Sequence, residues 1–281
     1  MLSYRHGYHA GNHADVLKHL VLVQTIRLLT RKDKALWVID THAGAGGYAL
    51  DAPYATKRRE FAGGIGALWS APKLPAPLAD YVEQVRDVNP DGELRVYPGS
   101  PQIALQLLRP QDRLRCFELH STDAKALQAH FEGAGRQVAV VAGDGLAGMK
   151  ALLPPPSRRG LVLIDPSYEV KTDYRAVRSA VRDALVRFAT GTYAVWYPML
   201  QRREADDLPR ELRRMAPGDW LDVSLAIATP GPDGYGMHGS GMFVFNPPWN
   251  LEALLRPALP ALVRLLGQDP GAAYRLEFRQ T

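Results

Sequence analysis

The sequence predicts an α/β fold: a single domain over residues 1–281 built on an open, Rossmann-like, mostly parallel sheet, with a small helical insertion over residues 50–97. Three observations carry this prediction. Short apolar, β-branched runs of strand length alternate with longer segments of helical period. The first such run, residues 35–40, passes directly into a glycine-bearing turn, Gly44-x-Gly46. Finally, Asp40, Glu118, Asp144 and Asp165 each stand at the end of a strand-like run, and right-handed crossovers would bring all four to one rim of a parallel sheet.

Taken in order, the N-terminal stretch is unusual. His6, His9, His13 and His19, four of the eight histidines, lie among aromatic and basic residues before any strand. Asn12 suits an N-cap, and Val16, Leu17, Leu20, Val21, Val23, Ile26, Leu28 and Leu29 predict a mostly apolar helix to about Thr30. His9 and His13 have helical spacing, but no cysteine or His-Glu-x-x-His acid accompanies them, so no metal site is predicted. These residue types suit a pocket lining in which rings stack on bases and Arg5 or Lys18 meets phosphate or carboxylate.

Residues 35–40 form the first core strand. In Asp40-x-x-x-Gly44-x-Gly46 the glycines allow a tight turn and close backbone approach to a ligand. A dinucleotide fingerprint wants a further glycine where Ala49 stands, and alanine is an allowed substitute, so spacing alone leaves that reading open. Residues 50–97 then interrupt the alternation. They contain Lys57-Arg58-Arg59, a helix through 61–69, a link with Pro72, Pro75 and Pro77, and a helix near 78–88. About 45 residues make a marginal core, hence an insertion rather than a second domain.

Ser100 is placed to cap a helix over 102–108. Strand 113–118 ends at Glu118, which could take the two hydroxyls of a ribose; strand 137–142 leads to Asp144, which could take an adenine amino group. Each acid alone is as readily a solvated or capping carboxylate. A helix near 173–188, a strand over 192–197 and a charged helix from 203 to 215, interrupted at Pro209, come next. Residues 221–229 and 241–245 read as an antiparallel hairpin. Asn246-Pro-Pro-Trp249 reads as a strand-to-helix turn, followed by a helix over 249–266 and a polar tail.

With 46% hydrophobic and 22% charged residues, the chain has the composition of a soluble globular protein. No apolar run approaches the ~18 residues of a membrane span, and the N-terminus lacks a signal-peptide layout. The one cysteine, Cys116 in an apolar run, excludes an internal disulfide and suggests the cytoplasm. Monomer is the default state. Net charge is +5 and the pI about 9.3. Part of the excess lies in the doublets Arg58-Arg59, Arg158-Arg159, Arg202-Arg203 and Arg213-Arg214, which suggests a polyanionic partner, although an idle basic surface has the same composition.

The stretch Gly160-Leu-Val-Leu-Ile-Asp165-Pro-Ser-Tyr168-Glu169 opens as a buried strand and breaks at an Asp-Pro turn. An ordinary loop accounts for Asp-Pro equally well. At the end of a parallel strand, however, it would gather groups that suit one problem, making an aromatic amine nucleophilic. The Asp165 carboxylate and Pro166 carbonyl would accept the two N–H bonds and favour a pyramidal nitrogen, while Tyr168 stacks on the ring.

In order and type, these residues resemble the class I S-adenosylmethionine-dependent amino-methyltransferases. Ser3-Tyr-Arg-His6…His9-Ala-Gly-Asn12-His13-Ala-Asp-Val-Leu-Lys18-His19, Asp40-Thr-His-Ala-Gly-Ala-Gly46, Tyr97-Pro-Gly-Ser100-Pro and Ser157-Arg-Arg-Gly-Leu161 look more closely like the RlmJ family, over nearly the whole chain. That resemblance implies methylation of adenine N6 in bacterial 23S ribosomal RNA, at adenine 2030. It implies S-adenosylmethionine contacts by His19, His42, Gly44, Gly46, Ser100, Glu118, Asp144, Gly145 and Asp165. It also implies catalysis by Asp165, Pro166 and Tyr168, and RNA contacts by Tyr4, His6 and Lys18. The sequence departs from the family at residue 167, where Ser stands in place of the second proline of Asp-Pro-Pro-Tyr. DNA adenine methylation and a non-catalytic RNA-binding role are the alternatives. A dinucleotide oxidoreductase is disfavoured, because its ribose acid would fall about 20 residues past the glycines, inside the insertion.

Overall fold

The computed structural model describes residues 6–234 and 236–280. Its strands are β1 (Trp37–Asp40), β2 (Gly47–Ala49), β3 (Val96–Pro98), β4 (Arg113–Glu118), β5 (Val138–Ala142), β6 (Gly160–Ile164), β7 (Thr192–Met199), β8 (Trp220–Ala226), β9 (Gly239–Phe245) and β10 (Ala273–Arg279). Eight of them form one sheet in the order β10-β8-β9-β7-β6-β1-β4-β5, and β2 pairs with β3 separately. Strands β5, β4, β1, β6 and β7 run parallel, while β9 is antiparallel to both β7 and β8. An antiparallel strand set between two that run with the parallel block is the class I S-adenosylmethionine-dependent methyltransferase arrangement. β1 sits at the switch point, from which the chain winds outward to β4 and β5 and then returns past β1 to β6 and β7. Ligands of open α/β sheets bind at that place, outside the carboxyl ends of the strands.

The helices are α1 (His13–Leu29), α2 (Pro53–Arg58), α3 (Ile65–Trp69), α4 (Ala76–Arg86), α5 (Ser100–Leu107), α6 (Ser121–His130), α7 (Gly145–Leu152), α8 (Lys171–Arg187), α9 (Arg203–Met215), α10 (Leu251–Leu255) and α11 (Leu259–Leu266). α1 packs with α4, α5 and α10 and against β9, whereas α7, α8 and α9 form a second group. Enclosure on several sides explains why α1 is apolar nearly all round rather than striped: only His13, Arg27 and Leu29 escape full burial. Asn12 caps it, its side-chain oxygen accepting from the amides of Ala14 and Asp15.

Four expectations change. Ser100 is the first residue of α5 and caps nothing; its hydroxyl is committed elsewhere. Pro209 does not interrupt α9, because Ala205, Leu208, Pro209 and Leu212 are all buried, and that packing offsets the ~3 kcal/mol an interior proline costs. The helix expected over 249–266 is two helices, α10 and α11. The polar tail is β10, an edge strand paired with β8 through seven residue positions and tied down by Arg275, which meets the fully buried Asp222 at 3.1 Å.

The segment between β2 and β3 is closed off by those two strands, which pair antiparallel from Gly47 opposite Pro98 to Ala49 opposite Val96. A hydroxyl chain ties it to α1: Tyr81 meets Tyr97 at 2.9 Å, and Tyr97 meets His19 Nδ1 at 2.6 Å.

Candidate active site

Because β1, β4, β5 and β6 are parallel, Asp40, Glu118, Asp144 and Asp165 do reach one rim. A cavity of about 360 Å³ opens there, lined by Glu118, Asp144 and Asp165 among others. Asp40 lies just beneath it, 1% exposed. Ser100 Oγ donates to Asp40 at 2.6 Å, and the His42 amide donates to it at 3.2 Å. Burial still raises the Asp40 carboxyl to about 6, since those two bonds only partly offset the loss of solvent.

The glycine turn takes the form that only glycine permits at two positions. Gly44 and Gly46 have φ of +60° and +86°, and a Cβ on Gly44 would stand 2.1 Å from the Tyr48 hydroxyl. The turn opens a strand, β2, rather than a helix. A dinucleotide site needs a helix N-terminus there to hold its pyrophosphate, so that reading falls.

Glu118 ends β4 with each carboxylate oxygen accepting one amide: Gly44 at 2.8 Å and His120 at 2.7 Å. Each oxygen keeps acceptor capacity for a hydroxyl pair, and burial raises its pKa despite the two amides. Asp144 caps α7 through Oδ1, which accepts from Leu146 and Ala147. His42 lines the cavity and shares a hydrogen bond with Thr41 Oγ1; burial pushes it down to about 4, so it is neutral. Among the described lining residues, Asp15, Glu118, Asp123, Asp144, Asp165 and Asp173 face a single lysine or arginine, Lys18. That lining suits a cofactor carrying sulfonium and ammonium charge and opposes a phosphate-rich one. The residues present therefore fit S-adenosylmethionine, and Glu118, Asp144, Ser100, Gly44 and Gly145 all stand in that lining.

The second half of the cavity is organised by Asp15, a residue the sequence reading passed over. Asp15 is 2% exposed; its Oδ2 accepts from the Gly11 amide and from His6 Nε2, both at 2.9 Å, and its Oδ1 meets Lys18 Nζ at 2.7 Å. Lys18 Nζ also donates to Asp165 Oδ2 at 2.6 Å. Burial opposes the Lys18 charge, but the two carboxylates win and hold its pKa well above the ordinary value. Burial likewise opposes Asp15, yet His6 and Lys18 hold it well below the carboxylate range. Asp165 is the group left raised: burial outweighs its bond to Lys18. The Asp15–Lys18 spacing of three residues on a helix was the available signal.

Three predicted residues are placed differently. Tyr168 does not face the cavity. It has φ of +51°, is 2% exposed, donates its hydroxyl to the Trp196 carbonyl at 2.9 Å and packs on Tyr174 and Trp196. The left-handed turn at 168 sends the ring into the core, and Trp196, Pro198 and Leu200 supply apolar wall beside Pro166 and Ser167. His19 is buried behind the wall, stacked on Tyr97, and its Nε2 has no hydrogen-bond partner among the described residues. Gly46 accepts the Gly99 amide at 2.8 Å and is absent from the lining. His6 and Lys18 do line the cavity; Tyr4 lies outside the described residues.

Comparison with known proteins shows the family. Residues 33–279 match the family model described as ribosomal RNA large subunit methyltransferase D, RlmJ. The chain belongs to the RlmJ family. It is 48% identical over 262 residues to ribosomal RNA large subunit methyltransferase J of Escherichia coli K12, covering 93% of each chain. The Haemophilus influenzae protein of the same name is 44% identical over 279 residues, 99% of each. A crystal structure of protein LPL1258 from Legionella pneumophila superposes with a TM-score of 0.87 at 36% identity, covering 96% of this chain and 98% of that one.

Proposed function

We propose that this protein transfers a methyl group from S-adenosylmethionine to N6 of an adenine in 23S ribosomal RNA, the adenine implied by the family resemblance being 2030. The observation that carries this reading is the Lys18–Asp165 pair. Lys18 holds one carboxylate oxygen of Asp165, Oδ2, at 2.6 Å beside Pro166, in the wall of a cavity whose other half suits the cofactor. S-adenosylmethionine supplies an electrophilic methyl on a cationic sulfur. The free Asp165 oxygen and the Pro166 carbonyl accept the two N–H bonds of the adenine amine and turn its lone pair toward that methyl. With the cofactor bound, the nitrogen held by these two acceptors would take the methyl in line, and the C–S electron pair would leave with sulfur. The methylated amine then sheds a proton readily, so Asp165 need not remove it first.

The target base must leave its stack to reach this depth, and Trp196 with Pro198 offers an apolar wall for its face. His6, held by Asp15 and 5.0 Å from the Tyr48 ring, stands at the entrance. The test is incubation with labelled S-adenosylmethionine and unmethylated 23S RNA, followed by nucleoside analysis, with a DNA copy of the target segment in competition. Label in N6-methyladenosine at one position, lost in Asp165→Asn, is expected. Cofactor binding without transfer would return the RNA-binding alternative, and equal transfer to the DNA copy would return the DNA one.

A further inference from the structure

The net positive charge of this chain is concentrated in its sequence, and away from the described lining of the cavity. Four segments hold it: 31–34, 109–115, 132–136 and 157–159. They contain nine of the chain's 34 lysines and arginines and three of its 29 aspartates and glutamates, a net of +6 where the whole chain carries +5. Everything else sums to −1. These segments immediately precede β1, β4, β5 and β6 or open them, so they meet at the amino ends of the parallel strands, the pole opposite the rim that bears Asp40, Glu118, Asp144 and Asp165.

Apart from the Arg109–Asp112 ion pair, the cluster is held together by bonds that leave its charge unneutralised. Arg109 donates to the carbonyls of Lys32 at 2.9 Å and Lys34 at 3.2 Å. Arg159 donates to the same two carbonyls and to that of Leu29 at the end of α1. Arg115 bonds the carbonyls of Leu114 and Gln137 and lies over the Trp37 ring. Carbonyls accept these bonds without cancelling a charge. Asp112, the acid at the centre, is fully buried and committed to Arg109 and the Leu36 amide, which leaves Asp33 and Glu132 as the exposed acids. Burial and the neighbouring Arg109 push Arg159 below its ordinary pKa, as expected where like charges are crowded. Arg31, Lys32, Lys34, Arg136 and Arg158 project to solvent around this core.

Elsewhere, two arginines of the doublets have partners. Arg213 is spent on Asp222 and on the Trp220 ring, and Arg203 on Asp207. At the cavity, six acids to one lysine repel phosphates. A polyanion that must thread one nucleotide into an acidic cavity needs its electrostatic grip elsewhere. We infer that the amino-end pole of the sheet, built on Arg109, Arg113, Arg115 and Arg159 and rimmed by Lys32, Lys34, Arg136 and Arg158, is a second RNA-binding surface that grips structured RNA outside the reacting nucleotide. This inference rests on the RNA substrate proposed above. The six residues of β4 alone separate the two poles by roughly 17 Å, so an RNA that engages both must be folded or reach around the domain.

The test is Lys32→Gln, Lys34→Gln, Arg136→Gln and Arg158→Gln combined, all exposed and with no side-chain bond to lose among the described residues. On a 23S fragment of several hundred nucleotides we expect binding roughly 10- to 100-fold weaker at about 0.1 M salt, and a log K against log salt slope shallower by about 3. Turnover of a single-stranded oligonucleotide of about a dozen residues carrying the target should be unchanged, because it spans only the cavity. In the wild-type protein the long RNA, but not the short one, should protect Lys32 and Lys34 from an amine-reactive label, a readout that needs no variant to fold. Unchanged affinity and slope, equal loss on both RNAs, or no protection would overturn the inference. If neither RNA is methylated but slope and protection behave as expected, the methyl-transfer reading fails and the surface stands.

Discussion

Replacing Asp15 with asparagine probes the cavity's charge arrangement without changing its shape. The carboxylate accepts three donors, the Gly11 amide, His6 and Lys18. The amide that replaces it has one oxygen, so its NH2 must face either the Lys18 ammonium or the Gly11 and His6 pair. Two charge-assisted bonds weakened at about 1.5 kcal/mol each give about 3 kcal/mol. The larger penalty of about 3–5 kcal/mol for a buried charge left alone is not reached, because Lys18 keeps Asp165. At about 2.1 cal/mol/K per residue, a 281-residue chain should melt about 5 °C lower. The sign with pH follows from Asp15 being held below its unfolded value. Its contribution is present above about pH 4 and lost as pH falls through the folded-state value, so the gap between wild type and variant should close in acid. Freed from Asp15, Lys18 turns wholly onto Asp165, and kcat should fall roughly 100-fold with cofactor affinity intact. Melting curves from pH 3 to 8, calorimetric cofactor titration and single-turnover methylation measure all three. A melting point within about 1 °C of wild type at neutral pH, together with full kcat, would refute the argument.

Glu118→Ala should weaken cofactor binding about 10- to 100-fold by calorimetry, through the loss of charged hydrogen bonds, and leave saturated kcat within about threefold. Tyr168→Phe loses only the bond to the Trp196 carbonyl; it should cost about 1 kcal/mol and leave kcat nearly unchanged, whereas a tenfold fall would show that this bond holds the Asp165–Pro166 acceptors in place. Asp40, raised to about 6, contributes stability fully present below about pH 4 and lost as pH rises through 6. Asp40→Asn removes that loss, so urea melts should show the variant gaining about 3 kcal/mol on wild type between pH 4 and 7. Ser167→Pro should change kcat by less than about threefold, since the Asp165 and Pro166 acceptors do not depend on it; a much faster variant would show that the loop as it stands limits the enzyme.

The parallel half of the sheet and its acidic rim were legible because both depend on local patterns: a β-branched run, then an acid or glycine at the bend. The direction of Tyr168 was not, since it turns on one residue's left-handed φ, which no spacing reveals. Ser100 has the composition of a cap but serves Asp40, a partner 60 positions away. β10 escaped notice because both its faces are partly exposed, so Tyr274, Arg275, Leu276, Glu277 and Phe278 show no strong inside and outside. Asp15 looks like a helix first-turn acid, and only the fold brings His6 and Asp165 to it. The basic doublets misled in a similar way: what counts is which of them find acids, and that is a tertiary property.

The late pairing of β10 has a consequence for synthesis and turnover of the molecule. Until residues 273–279 are in place, β8 presents an open row of amides and carbonyls, and Asp222 has Arg213 and the Tyr197 hydroxyl without Arg275. An unpaired edge of seven positions is a template for another chain. Fragments ending before residue 273 should therefore accumulate as aggregates and protease substrates rather than as partly active enzyme, so β10 protects the β8 edge as well as completing the sheet.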